Sequence, residues 1–275
     1  MTQVPTIALN DGTAIPQFGF GVFQIEPGHT VEVVRTALDA GYRHLDTAQA
    51  YGNEDGVGQA IAESGIPRDE IYVTTKLAND RHGRKEAAVA IEESLDRLGL
   101  DAVDLYLIHW PRPHDGRYVE TWQGMEDVAQ AGKARSIGVS NFQVPHLERL
   151  AAETGTVPAV NQIELHPHLA QAELRAYHAA HGIVTESWSP LARGGDVLAD
   201  PVVVEIAQRH GRTPAQIVLR WHIELGVVVF PKSVTPARIA ENIDIFDFAL
   251  SDTEVAALTA LDTGTRIGPD PDHFG

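Results

Sequence analysis

Eight short runs rich in β-branched and aromatic residues recur along this chain, at Phe18–Val22, Tyr42–Leu45, Ile71–Thr75, Val103–Ile108, Ala134–Val139, Ala159–Ile163, Ile183–Glu186 and Val227–Phe230. Stretches with helical periodicity separate them: His29–Ala40, Gly56–Ser64, Lys85–Leu98, Val119–Ala131, Val144–Glu153, Gln171–His181, and then Val202–His210 with Pro214–Leu225. Glycines stand beyond the last turn of several helices (Gly41, Gly65, Gly99, Gly132, Gly155, Gly182 and Gly211), a common stop signal. Strands that alternate with helices imply βαβ units and a parallel sheet. Val103-Asp-Leu-Tyr-Leu-Ile108 is mostly apolar, as a strand covered on both faces must be.

Eight such units either close into a barrel or lie open as a doubly wound sheet. The open nucleotide-binding sheet carries a Gly-rich first turn. Here Gly19-Phe-Gly21 is followed by Gln24 where a third glycine would stand, and no Walker loop, G-x-S-x-G or H-E-x-x-H is present. The expected fold is therefore α/β, a (β/α)8 TIM barrel with extra C-terminal helices. A hairpin (Thr6–Leu9, turn Asn10-Asp-Gly12, Ala14–Ile15) precedes it and is expected to close the bottom.

Composition narrows the chemistry. The 275 residues are read as one domain, 1–275, with 43% hydrophobic and 21% charged residues. The chain has no cysteine, so disulfides, thiolate catalysis and Cys-ligated metals are excluded. A formal charge of −17 argues against nucleic acid or an anionic membrane as partner, because phosphate binding needs clustered cations. Only four lysines remain (Lys76, Lys85, Lys133, Lys232), so each invites a reason. The segment MTQVPTIALNDG has neither the basic nor the apolar region of a secretory signal, and no apolar run approaches membrane-spanning length, so a cytoplasmic location is expected. The tail Ile267–Gly275 reads as irregular, with its order left open.

In such a barrel the active site lies at the C-terminal ends of the strands. The residues closing successive runs are Asp46, Lys76, His109, Ser140-Asn141, Gln162, Trp188 and Lys232. Asp46, Lys76, His109 and Asn141 follow at steps of 30, 33 and 32 residues, one βα unit each, so they converge on one mouth. A polar residue at one strand end is unremarkable; the convergence of seven is the signal.

These residues sit in motifs that resemble the aldo-keto reductases along nearly the whole chain: Gly41-Tyr-Arg-His-Leu-Asp46, Tyr51-Gly-Asn-Glu54, Thr75-Lys76-Leu, Leu107-Ile-His109-Trp-Pro111, Gly138-Val-Ser-Asn-Phe142, Asn161-Gln162-Ile-Glu-Leu-His-Pro167, Trp188-Ser-Pro-Leu191 and Pro231-Lys-Ser233. Short loops are similar to the prokaryotic branch. Ser94–Asp101 and Thr185–Arg193 look most like the 2,5-diketo-gluconate reductases.

The resemblance implies an NADPH-dependent reductase of small-molecule carbonyls, acting as a monomer. It implies Tyr51 as general acid, Lys76 as the cation that lowers the tyrosine pKa, Asp46 as the group orienting the lysine, and His109 as the residue placing the substrate carbonyl. It also implies Ser140, Asn141 and Gln162 as ligands of the nicotinamide carboxamide and Trp188 as the ring stacked on it. Ser189, Leu191 and Val234 are implied as further cofactor contacts. Lys232, Ser233 and Arg238 are implied for the adenosine 2′-phosphate, with Glu241 and Asn242 near the adenine. Phe23, Ala78 and Trp110 would line the substrate pocket; relatives often carry Trp at the first two positions. No metal is expected, although His109, His166 and His168 offer a competing metal-hydrolase reading.

Overall fold

The computed structural model describes residues 4–274. Met1–Gln3 and Gly275, the extremes of the stretches read above for a leader and a tail, lie outside them. Strands β1 (Thr6–Ala8) and β2 (Ala14–Pro16) form an antiparallel hairpin. Strands β3 (Phe20–Gly21), β4 (His44–Asp46), β5 (Tyr72–Leu77), β6 (Val103–Ile108), β7 (Ala134–Ser140), β8 (Val160–Glu164), β9 (Val184–Trp188) and β10 (Val228–Val229) form one parallel sheet in sequence order. A parallel bridge between Phe18 and Val229, with Gly19 N donating to Val229 O and Gly21 N to Pro231 O, joins its first and last strands and closes the barrel.

Helices α1 (Pro27–Asp39), α2 (Glu54–Glu63), α3 (Arg84–Leu98), α4 (Tyr118–Gln130), α5 (Val144–Glu153), α6 (Ala172–Ala180), α7 (Pro201–His210), α8 (Pro214–Glu224), α9 (Pro236–Ile243) and α10 (Asp252–Thr259) surround it. Their ends follow local chemistry. Thr213 and Ser251 open α8 and α10 with capping boxes, and Gly99 ends α3 at φ 65°, a left-handed conformation that glycine adopts without strain. Both terminal strands are shorter than the runs predicted, since Phe18 and Pro231 meet their neighbours through isolated bonds rather than a ladder.

The strands sort their side chains by period two. On β6, Leu105 and Leu107 face the barrel axis, while Tyr106 and Ile108 pack under the helices. Ile15 of the hairpin is fully buried with Leu105, Leu107, Val160 and Phe230, so the hairpin closes the bottom with apolar surface. Above that layer the axis turns polar. His44, Thr74, Asp46, Lys76, Gln162 and Glu186 are all buried, and Asp46 and Lys76 sit toward the C-terminal ends of their strands.

Candidate active site

Lys76 anchors the polar layer. Its Nζ is fully buried and donates to Asp46 Oδ1 at 2.8 Å, Asp46 Oδ2 at 2.7 Å and Thr47 O at 2.9 Å. Such a pair exists only because β4 and β5 are neighbours in register and both side chains face the axis. Tyr51 comes from the loop that follows Asp46. The chain makes one 3-10 turn, Gln49–Tyr51, which Gly52 ends at φ 67°. Asn53 then ties the loop down: its Nδ2 donates to Val22 O and Ile25 O, and its Oδ1 accepts from Thr47 Oγ1. Buried Glu54 accepts from Thr75 Oγ1 and Arg97 Nε. The segment Tyr51-Gly-Asn-Glu54 is thus explained residue by residue. It brings the Tyr51 hydroxyl to 3.4 Å from Lys76 Nζ, and the His109 ring stands 5.7 Å from the Tyr51 ring, nearly perpendicular.

The charges are set by burial and by each other. Burial raises the Tyr51 pKa above 10; Lys76 pulls it down and Asp46 pushes it up, and the net direction is upward. The ammonium acts in the direction expected from the sequence, but burial outweighs it. Burial works against the Lys76 ammonium too, yet Asp46 and Tyr51 more than compensate, so it stays charged. Desolvation, then Lys76, pushes His109 down to about 3. The mouth therefore holds a protonated phenol, a buried ammonium and a neutral imidazole, two of them able to donate hydrogen bonds to a carbonyl oxygen.

These groups open on a cleft of about 1360 Å³. Asp46, Tyr51 and His109 line it, as do Phe23, Ala78 and Trp110. So do Ser140, Asn141, Gln162, Trp188, Ser189 and Leu191 on one side, and Lys232, Ser233, Arg238, Glu241 and Asn242 at the far end. Two expected residues do not: Lys76 lies behind Tyr51, and Val234 is 53% exposed. Five non-glycine residues with positive φ line the cleft (Gln24, Arg112, Asn141, Ser189 and Arg193), which concentrates backbone strain at the mouth, as functional sites do.

The expected carboxamide ligands are largely engaged with one another. Ser140 Oγ donates to Gln162 O, Asn141 Nδ2 donates to His109 O and Ser140 Oγ, and Trp188 Nε1 donates to Asn141 Oδ1 at 2.7 Å. Gln162 Nε2 donates to both Asp46 Oδ1 and Glu186 Oε2 at 2.9 Å. At the far end, Ser233 Oγ accepts from Thr235 N and Glu241 accepts from Thr213 Oγ1.

Several cleft residues escaped the sequence reading. Arg193 is one. Among the described residues lining the cleft, Arg81 and Arg112 pair with Glu93 and Asp115, whereas Arg193, Lys232 and Arg238 have no carboxylate within 4.0 Å. The tail is another. Ile267 N and Gly268 N donate to the two oxygens of buried Glu164, and Phe274 lies on Trp110 with ring centroids 4.5 Å apart. Gly268 passes so close to Trp188 that a Cβ there would stand 2.4 Å from the indole. The competing metal reading finds no cluster: among the described residues, no three His, Cys, Asp or Glu are placed to hold an ion, and His166 Nε2 is bonded to Glu164. No described helix is long and apolar enough to cross a membrane.

Known proteins bear on this geometry. Residues 16–263 match the aldo/keto reductase family. The chain is 54% identical over 270 residues to an aldo-keto reductase of Mycolicibacterium smegmatis, covering 98% of each. It is 50% identical over 276 residues to the methylglyoxal reductase DkgA of Escherichia coli K12, covering 100% of each. Its fold is similar to the crystal structure of a Gox0644 mutant in complex with NADPH, with a TM-score of 0.95, 46% identity and 99% of each chain covered.

Proposed function

Because the chain belongs to the aldo/keto reductase family, we propose that it reduces aldehydes and ketones to alcohols with NADPH, using Tyr51 as proton donor. The observation that carries this reading is the chain of contacts Asp46–Lys76–Tyr51 opposite His109 at the open end of the barrel.

The donor set fits the cofactor. Arg193, Lys232 and Arg238 are unpaired where an anionic cofactor needs cations, and α9 begins beside Arg238 with no side-chain cap on its first N–H groups. The ring of Trp188 lines the same cleft. When bound, NADPH supplies the hydride that no side chain can give. The protein's own residues do the rest. Neutral His109 and protonated Tyr51 hydrogen-bond the carbonyl oxygen and fix which carbon faces the cofactor. As that oxygen gains charge, Tyr51 gives it a proton, and buried Lys76 stabilises the phenolate left behind. Asp46 holds Lys76 charged and in place.

The substrate pocket is walled by Phe23, Trp110 and Phe274, while Ala78 leaves open the place where relatives often carry Trp. Small 2-oxoaldehydes such as methylglyoxal, and keto sugars such as 2,5-diketo-gluconate, are the substrates proposed, the first in keeping with the DkgA likeness. The enzyme is further proposed to act as a monomer in the cytoplasm. The test is cofactor oxidation by purified protein with methylglyoxal, 2,5-diketo-gluconate and aromatic aldehydes, using NADPH and NADH. Turnover with at least one carbonyl, faster with NADPH, is expected; no turnover with any of them overturns the reading.

A further inference from the structure

Glu186 is a buried carboxyl that the mechanism above does not use. It stands in the middle of β9, opposite Gln162 of β8 in the parallel ladder, and both side chains face the barrel axis. Glu186 is fully buried, its Oε2 accepts from Gln162 Nε2 at 2.9 Å, and its Oε1 has no partner. Gln162 spends its other amide hydrogen on Asp46 Oδ1, also at 2.9 Å. A primary amide has two hydrogens and one carbonyl oxygen. With both hydrogens claimed by carboxyl groups, Gln162, which lines the cleft, has only its Oε1 left to engage a ligand.

We infer that Glu186 is a positioning residue: it clamps the Gln162 amide so that Oε1 faces the cleft as a hydrogen-bond acceptor for the N–H of the nicotinamide carboxamide. The inference rests on the reading of Gln162 as a cofactor ligand. Asp46 alone does not achieve this. One bond from Asp46 leaves the amide free to rotate about its last torsion, whereas two acceptors on different strands fix its plane. The clamp also joins the cofactor end of the site to the proton-donating end, because Asp46 Oδ1 accepts from both Gln162 and Lys76. Burial, then the nearby Asp46 charge, pushes the Glu186 carboxyl up to about 8, so at neutral pH it accepts the amide hydrogen without adding a second anion beside Asp46.

The clamp is tested with a cofactor analogue. In 3-acetylpyridine adenine dinucleotide phosphate the carboxamide N–H₂ is replaced by a methyl group, so it cannot donate to Gln162. Dissociation constants of this analogue and of NADP⁺ are measured by fluorescence quenching for wild type, Glu186→Leu, Glu186→Val and Glu186→Gln. Wild type is expected to prefer NADP⁺ by about fivefold to tenfold, the worth of one hydrogen bond. Glu186→Leu and Glu186→Val lose that preference, and Glu186→Gln, which keeps an acceptor oxygen, restores it. Binding of 2′,5′-ADP, which lacks the nicotinamide, stays unchanged in all folded variants; a merely structural role would weaken it too. A wild type that binds both dinucleotides alike overturns the Gln162 assignment and the clamp with it. A wild-type preference that survives in the apolar variants overturns the clamp alone, as does loss of 2′,5′-ADP binding in parallel. If Glu186→Leu does not fold, Glu186→Val and Glu186→Gln still separate these outcomes.

Discussion

Replacing Lys76 with methionine removes the buried ammonium while keeping most of the stem. Three oxygen contacts of 2.7–2.9 Å are lost, and Asp46, with 7% of its side chain exposed, keeps only its bond from Gln162. Breaking a buried ion pair from one side costs about 3–5 kcal/mol, because the remaining charge has no compensation. At about 2–4 °C per kcal/mol for a chain near this size, the melting temperature should fall by about 10 °C. Asp46→Asn added to Lys76→Met removes the orphaned charge and should restore part of that loss. Activity should drop independently of stability. The lysine pulls the Tyr51 pKa down, so its removal strands the phenolate at the moment of proton transfer, and a loss of about a hundredfold or more is expected from general-acid catalysis. The sign of the pH effect is fixed: without the ammonium the Tyr51 pKa rises, so the alkaline limb of residual kcat moves to higher pH. Calorimetry and steady-state kinetics, at a temperature where the variant is folded, measure both. A melting temperature within about 2 °C of wild type would refute the buried-pair argument. An unmoved alkaline limb would remove Lys76 from the chemistry.

Three further outcomes follow from the same geometry. Arg238→Ala should weaken NADPH by about tenfold to a hundredfold and leave NADH nearly unchanged, by equilibrium fluorescence titration, since a charge-assisted phosphate bond is worth about 1.5–3 kcal/mol; equal weakening of both would contradict the phosphate assignment. Ala78→Trp should raise KM for aromatic aldehydes more than for methylglyoxal; equal effects would mean that neighbouring loops already fill the space beside Ala78. Glu186→Gln should gain stability over wild type with rising pH. The folded carboxyl is held near 8 against an ordinary 4.5, so the stability tied to its proton is fully present below pH 4.5 and is lost as pH rises toward 8. Denaturant melts across that range should show the difference growing, by at most about 1.4 kcal/mol per pH unit; a constant difference would mean Glu186 is already ionised at low pH.

The barrel was legible because its signals are local. Near-continuous apolar runs such as Val103–Ile108 and the glycine stops after helices mark the units, and the residue closing each run marks the mouth. Tyr51 was harder: five residues beyond Asp46 in a loop, it has no periodicity, and its meaning depends on Lys76 arriving from the next strand. What stayed illegible depends on register and long-range contact. Glu186 read as one more strand residue, because only the pairing of β8 with β9 sets it opposite Gln162. The engagement of Asn141 with His109 and Trp188 spans three strands. The tail carries no pattern at all. Its order comes from main-chain N–H groups caught by Glu164 a hundred residues earlier, and from Phe274 settling on Trp110.

In the proposed reaction the Tyr51 hydroxyl delivers the proton. Tyr51→Phe removes one oxygen and leaves the ring that packs against Phe23 and His109. Single-turnover reduction of a saturating aldehyde by the preformed NADPH complex measures the chemical step apart from binding. The expected rate is lower by about a hundredfold or more, the usual worth of a general acid, with NADPH affinity close to wild type. A Tyr51→Phe protein that keeps more than about a tenth of the wild-type rate would contradict it.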